Sequence, residues 1–491
     1  MRRFDKVAGG RPPAVRLAIS LLLALSVAAG CTSGGAGGGS APTPPSKQIR
    51  SYTGPGVQGA AHPIGLKWDW STLDRYLPFV KDLAGGATFY EFEWCQVEPQ
   101  PGQQDWGAVD EVVRSSQRLG YEMMLKIRVG SCWTTGGRRG EERGDKRKTV
   151  SAMPQDPAAY QAFVRTVVER YRPLGVRQYA IENEVNARNF WDGSPQQYEQ
   201  LVRLGAQVVH TTDPKAEVLD SGIASPIYGV AIAERLLSEG REDEAVAAYQ
   251  RYYAHRGSQY ERVETAPALR AMLGRDLVRR GLDYLAATQR LAREKAFDVY
   301  QLHFYEPWDN VPALLEYLRA TLPSPLPIEG WEVGMFQRGA FDQGEDQQLR
   351  AGETAKVVSL LLAGGARRVV WLPTAAPDGE ELRFGLVDSG GTVRPAGEVL
   401  KRLAAAAEGA SWRAVTSGEA SGIAFGKGKQ TVLVLWSEQG ATVPGIGRSD
   451  AKASTLTGAS VPWGKAGLRL GREPFLVSVP LTLDEAARLI R

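Results

Sequence analysis

Met123-Met124-Leu125-Lys126-Ile127-Arg128-Val129 leads into an amphipathic stretch from Pro157 to Arg172, then Gln178-Tyr179-Ala180-Ile181, a second helical stretch from Pro195 to Thr211, and Glu217 to Ser221. Short β-type runs alternating with longer runs of helical spacing are the mark of a parallel sheet with crossover helices. The alternation continues outward on both sides. Upstream, Ile64 to Trp68 precedes Leu73 to Leu83, and Ala87 to Phe92 precedes Trp106 to Leu119. Downstream, Phe297 to Phe304 precedes Val311 to Leu322, Leu326 to Trp331 precedes Gln347 to Ala363, and Arg368 to Leu372 precedes Pro395 to Ala406. Eight such units predict an α/β chain whose residues 61–407 form a (β/α)8 barrel. A doubly wound sheet is the alternative that the pattern leaves open.

Two regions depart from the repeat. Residues 226–296, between the fifth and sixth strands, read as a charged helical insertion with Tyr249, Tyr252, Tyr253 and Tyr260 clustered. Such an insertion either walls a pocket at the loop face or is a solvated excursion with packed tyrosines. Beyond Ala406, Thr431 to Trp436 and Phe475 to Pro480 are β-rich and separated by Gly-rich turns. Residues 408–491 are therefore expected to form a small C-terminal antiparallel β-sandwich, as a structural appendage.

The formal charge of +4 has a local origin. Residues 1–30 carry Arg2, Arg3, Lys6, Arg11 and Arg16 against Asp5, and the remainder sums to zero. Zero net charge offers no electrostatic footprint for nucleic acid, so none is expected as a partner. Four dispersed histidines give no metal-ligand spacing, and no Gly-rich nucleotide loop is evident, so neither a metal nor another cofactor is expected. The basic stretch leads into the apolar run Leu17 to Ala29 and then Ala28-Ala29-Gly30-Cys31, too short to span a bilayer comfortably. This resembles the lipobox of bacterial lipoproteins, although Ala28 stands where Leu is usual; it implies a signal peptide over 1–31 and lipidation of Cys31. An ordinary cleaved signal peptide is the other reading. Residues 32–60, rich in Gly, Ser, Pro and Thr, are expected to be a flexible tether. Either route places the chain outside the cytoplasm, anchored at the membrane's outer face or secreted. Export also allows Cys95 and Cys132, which follow neighbouring strands, to form a disulfide; two free thiols are the alternative.

Two acidic motifs fall at strand ends: Ile181-Glu182-Asn183-Glu184-Val185-Asn186 after the fourth strand, and Pro327-Ile328-Glu329-Gly330-Trp331-Glu332-Val333-Gly334 at the seventh. Barrel enzymes carry their chemistry at the C-terminal ends of strands. Glycosidic cleavage needs two carboxyl groups flanking one bond. Trp94, Val97-Glu98-Pro99, Gly102, Asp105-Trp106 and Asp110, with Phe384-Gly385-Leu386-Val387-Asp388 and Arg394-Pro395, add spacing that is hard to obtain by chance.

With these motifs, the stretch from about Gly65 to Ala406 resembles the clan A glycoside hydrolases, retaining barrel enzymes that include cellulase-like and β-xylosidase-like families. The resemblance implies Glu184 as acid/base, Glu332 as nucleophile, and Asn183 as partner of the sugar 2-hydroxyl. It further implies His303 and Tyr305, within His303-Phe304-Tyr305, beside the nucleophile and Trp371 as floor of the sugar site. Asn186 and Trp94 join them as substrate-binding candidates. One departure is the second strand, Thr88-Phe89-Tyr90-Glu91-Phe92-Glu93, which lacks the family's Arg; Lys126 or Arg128 would have to supply that charge. Val185 stands where Pro is common. Glu182 reads as a buried paired residue, Glu93 and Glu306 as possible hydroxyl ligands, and Trp68, Trp133 and Trp191 as stacking platforms or packing.

The function expected is a retaining glycoside hydrolase acting on a poly- or oligosaccharide, as a monomer. A surface barrel that binds glycan without cleaving it, and a transglycosylase using the same glutamates, are the alternatives.

Overall fold

The computed structural model describes residues 60–137, 148–254, 260–335, 347–375, 385–445 and 451–490. The signal peptide, Cys31, nearly all of the tether and Phe384 lie outside them. Eight parallel strands form the barrel: β1 Ile64–Leu66, β2 Ala87–Glu93, β3 Glu122–Arg128, β4 Gln178–Ile181, β5 Glu217–Leu219, β6 Tyr300–Phe304, β7 Ile328–Val333 and β8 Ala366–Trp371. They pair in the orders β2-β3-β4-β5 and β1-β8-β7-β6. Bridges Leu219–Val299 and Ile223–Leu302 join β5 to β6. At the other seam Gly65 and Gly86 let β1 approach β2, because a Cβ on either would strike the facing backbone carbonyl. The result is a (β/α)8 barrel.

Strand alternation sorts the side chains into layers. Ala87, Phe89, Met124, Ala180, Leu219, Val299, Trp331 and Val370 fill the barrel interior. Beneath them, at the N-terminal ends, Glu329 meets Arg367 and Arg368, and Arg367 also holds Glu217. Above them, at the C-terminal ends, the inward positions of β2 and β3 become charged: Glu91 and Glu93, Lys126 and Arg128. An apolar plug thus separates a structural ion network from a polar mouth.

Helices cover the barrel where the sequence repeat predicts them, including Pro157–Tyr171, Pro195–Thr212 and Gln347–Ala363. Their starts follow local chemistry: Asp156 and Ser194 cap the first two, each followed by Pro in the first turn. The expected first helix is divided into a 3-10 turn, Trp70–Arg75, and a short α-helix, Leu77–Asp82. Among its described residues the insertion holds four helices, Pro226–Ser238, Glu242–Tyr252, Ala266–Leu273 and Asp276–Arg293.

The C-terminal region contains β9 Ser411–Ser417, β10 Ala420–Lys427, β11 Gln430–Trp436, β12 Ala441–Val443, β13 Lys452–Thr455, β14 Ser460–Val461, β15 Leu468–Leu470 and β16 Phe475–Val479. Six form an antiparallel sheet ordered β14-β13-β16-β11-β10-β9, and β12 pairs with β15. One face packs on the barrel helices: Trp412 donates its indole N–H to the Leu362 carbonyl at 3.2 Å, and Trp412, Phe425 and Trp436 belong to the main core. The other face has its own smaller core, closed by β12, β15 and the helix Leu483–Leu489. Among the described residues, no helix is long and apolar enough to cross a membrane.

Candidate active site

The chain leaves β4 at Ile181 and turns at once. Glu182 and Glu184 have φ of 67° and 41°, the left-handed region that ordinary residues rarely enter. Strict alternation would put both side chains on one face, but the turn sends them to different partners. The Glu182 carboxylate is buried, accepts from the Val129 N–H at 2.6 Å and faces Arg128. Burial, first among its causes, pushes its pKa up to about 7 against the pull of Arg128. Glu184, only partly buried, is pinned by its own N–H to the Ser221 carbonyl at 3.0 Å, and its Oε1 lies 2.9 Å from His303 Nδ1.

Glu332 reaches the same mouth through an irregularity. The β6–β7 register shifts between Leu302 and His303, which pair with Gly330 and Glu332. The extra residue is Trp331, whose ring goes into the barrel core and whose N–H donates to Glu329 at 2.8 Å. A bulge of this kind re-aims the side chain that follows it. Glu332 then lies beside His303, accepts a hydrogen bond from the Lys126 ammonium, and accepts from the Tyr305 hydroxyl at 2.7 Å. One oxygen each from Glu184 and Glu332, and one His303 nitrogen, lie within 4.8 Å of one another.

The surroundings set the charge state of Glu332. Burial alone would raise its pKa, but His303, Lys126 and the hydrogen bonds from Lys126 and Tyr305 hold it well below the usual carboxylate range. Lys126 also donates to Asn183 Oδ1 at 2.8 Å and lies 3.4 Å from His303 Nε2. Arg128, the other cation of β3, is engaged elsewhere, with Glu91 at 3.2 Å, Glu93 at 2.9 Å and Glu182 at 3.5 Å. Glu184, His303 and Glu332 offer donor atoms to a divalent cation, but the Lys126 ammonium already fills the cationic position against Glu332.

The structure therefore gathers Glu184, Glu332, Asn183, His303 and Tyr305, and corrects other candidates. Trp94 is buried, donates to Glu98 at 2.8 Å and stacks on Phe163 with ring centroids 5.1 Å apart, so it serves packing under the β2 loop and not substrate. Trp371 pairs in register with Val333 and Leu66 on the opposite side of β8 from Val370, which faces the barrel interior; it belongs to the layer between strands and helices and does not floor the mouth. Asn186 uses its carbonyl to accept from the Ala224 N–H at 3.0 Å, tying the loops after β4 and β5 together. Glu93 is buried on Arg128 and Thr149, and Glu306 is buried with a bond from Ser225. Trp68 and Trp191 are buried, and Trp133 donates to the Glu98 carbonyl at 2.8 Å.

Further contributors were not singled out from the sequence. Gln301, two residues before His303, presents Oε1 at 3.3 Å to His303 Nε2, while its side-chain amide N–H donates to the Asp220 backbone carbonyl. Alternation along β6 was the available signal. Gly222, at φ 67°, leaves the space that the His303 ring occupies, since a Cβ there would collide with it. The tyrosines of the insertion buttress this wall: Tyr252 donates to the Ser225 carbonyl at 2.8 Å, and Tyr253 accepts from the Val230 N–H. Cys95 and Cys132 form a disulfide, with Cα atoms 5.7 Å apart, joining the segments after β2 and β3.

No protein-family model matches the chain, and no curated protein does. Among solved structures, the fold is similar to that of a family 39 glycoside hydrolase from the gut symbiont Bacteroides cellulosilyticus WH2, at 16% identity over 85% of this chain and 81% of that one, with TM-score 0.56. It is also similar to a family 39 β-xylosidase from Caulobacter crescentus, at 13% identity over 88% and 98% of the two chains, TM-score 0.53. A family 30 endoxylanase from Clostridium papyrosolvens C71 follows at 11% identity over 87% and 98%, TM-score 0.50. At these identities the likeness is one of fold.

Proposed function

We propose that this chain is a retaining glycoside hydrolase that cleaves O-glycosidic bonds of a poly- or oligosaccharide by double displacement. The observation that carries the reading is the separation of the two carboxylates, with oxygens within 4.8 Å. Retaining enzymes hold the pair about 5–5.5 Å apart, whereas inverting enzymes leave about 6.5–9.5 Å for a water. Two supports stand beside it: the cationic and hydrogen-bonding surroundings that hold the Glu332 carboxyl below the usual carboxylate range, and a fold shared with glycoside hydrolases.

In this reading Glu332, kept anionic, attacks the anomeric carbon and forms a glycosyl ester as the glycosidic bond breaks. Glu184 protonates the departing oxygen. It then takes a proton from water, which attacks the same carbon and releases Glu332. His303, bonded to Glu184, orients the acid, and Asn183 faces the sugar's 2-hydroxyl, a contact that strengthens in the transition state. A panel of aryl β-glycosides tests the proposal, with Glu332→Gln as control. Release by the wild type alone supports it. Binding of oligosaccharide with no turnover of any glycoside or polysaccharide would replace it with a glycan-binding barrel, and transfer of the glycosyl group to sugar in preference to water with a transglycosylase.

We further propose export and lipidation at Cys31, which the Cys95–Cys132 disulfide supports through its need for an oxidising compartment. Cys31→Ala should move the protein out of the membrane fraction; unchanged membrane association contradicts it.

A further inference from the structure

The barrel-facing side of the antiparallel sheet changes character toward its β13 and β14 edge. Trp412, Phe425, Val432, Ser478 and Lys452 stand side by side in register across β9, β10, β11, β16 and β13. Two residues along, Ser454 lies between Leu476 of β16 and Ser460 of β14. Where the row is aromatic, the sheet packs on the barrel helices. Where it is polar, the sheet and the helix Pro395–Ala407 enclose a cavity of about 600 Å³, within the range of ligand pockets. No residue of the mouth lines it.

The wall of this cavity carries more donors than the fold uses. Arg402, from the helix, is half-buried and has neither a carboxylate nor a hydrogen-bond partner among the described residues. Gly458, at φ 102° in the β13–β14 turn, leaves room for its guanidinium, since a Cβ there would strike it. Trp463, just beyond β14, has a buried indole N–H with no acceptor. The hydroxyls of Ser454, Ser460 and Ser478 are likewise bonded to nothing among the described residues. Arg402 and Lys452 both line the cavity, and no Asp or Glu does. We infer that this cavity is a second carbohydrate site, apart from the mouth, and that it takes a saccharide bearing a carboxylate. The saccharide half rests on the reading above that the chain acts on glycan; the anion half rests on the cavity alone. A buried donor without an acceptor is costly, so donors gathered at a cavity wall select a ligand rich in acceptor oxygens. An arginine fork matches the two oxygens of a carboxylate, and such charge-assisted bonds are about twice as strong as neutral ones. Serine hydroxyls both donate and accept, as sugar hydroxyls do. A bare anion would use the guanidinium but leave the indole and the apolar wall of Val432 and Leu476 unmatched. A site so placed would hold the chain on an acidic glycan while the mouth works.

Titration of the full chain with D-glucuronate, D-glucose and acetate tests the inference. The reporter is the Trp463 indole N–H resonance, assigned in the NMR spectrum as the one lost in Trp463→Phe. Glucuronate should move it, with an affinity about tenfold or more above those of glucose, which lacks the carboxylate, and acetate, which lacks the sugar. Arg402→Gln should weaken glucuronate about tenfold and keep the wild-type Tm, since Arg402 has no partner to lose. Lys452, exposed on β13, supplies a second variant that leaves the packing alone, and Lys452→Gln should weaken glucuronate a few-fold. A resonance that no probe moves would overturn the site. Equal affinity for glucose would overturn its preference for an acid, and equal affinity for acetate would reduce it to an anion trap. Glucuronate binding undiminished in both variants would place the ligand elsewhere. Turnover plays no part in this titration. A chain that cleaves no glycoside would end the hydrolase reading whatever the resonance does, and a silent resonance would end this site with the hydrolase reading intact.

Discussion

Glu329 and Glu332 are three residues apart on one strand and serve opposite ends of the barrel. Glu329 is buried among Arg367, Arg368 and the Trp331 N–H, below the apolar plug. Glu332 faces Lys126, Tyr305 and His303 above it. Glu329→Gln should cost about 3–5 kcal/mol of stability by leaving buried arginines underpaired, with residual activity tracking the folded fraction. Glu332→Gln should abolish turnover in a folded protein. Comparing Tm and kcat for the two variants checks the assignment, and interchanged phenotypes would contradict it. Glu184→Gln separates the steps. Its first step should slow by about 10²–10⁴ for aglycones that need protonation and far less for a dinitrophenolate. Equal losses across leaving groups would deny Glu184 the acid role. At this scale the carboxylates, Asn183, His303 and Tyr305 were legible because they end strands in recognisable motifs. Trp94 and Trp371 misled because a tryptophan near a strand end reads alike whether it faces sugar or packs beneath a loop. Lys126 was legible only as one of two candidates, and the choice turns on where Glu91 and Glu93 lead Arg128.

Elements were legible wherever periodicity and caps agreed. β4 and the helix Gln347–Ala363 match the sequence reading at both ends. The first helix did not, because its apolar spacing runs across Tyr76, where a 3-10 turn gives way to a short α-helix with Pro78 in its first turn. The bulge in β7 left no mark in the sequence, since Trp331 and Glu332 read simply as one inward and one outward residue. The β2 and β3 exits are joined by the disulfide, which closes a segment of 37 residues. On chain-entropy grounds it contributes about 3–4 kcal/mol, so dithiothreitol or Cys132→Ser should lower Tm by several degrees. Two titratable thiols in denatured, unreduced protein lacking Cys31 would show that the bond does not form.

For the molecule as a whole, the eightfold repeat and the change of character after Ala406 were both readable, but the shared core was not. The antiparallel sheet places Trp412, Phe425 and Trp436 against the barrel helices, and Lys356 bridges Trp308 at 4.3 Å from its ring centroid and Glu438 at 2.6 Å. Trp308 belongs to the loop after His303 and Tyr305, so the sheet braces one wall of the mouth. A chain ending at residue 407 should accordingly be insoluble or unfolded, and a soluble truncated form with wild-type Tm would show the sheet to be dispensable. Double displacement across Glu184 and Glu332 would retain the configuration of the cleaved bond. Proton NMR of the first-formed product, from a soluble form of the chain acting on a β-glycoside, tests it most directly. Retention gives a β-configured sugar that mutarotates slowly afterwards; an α-configured first product would rule it out.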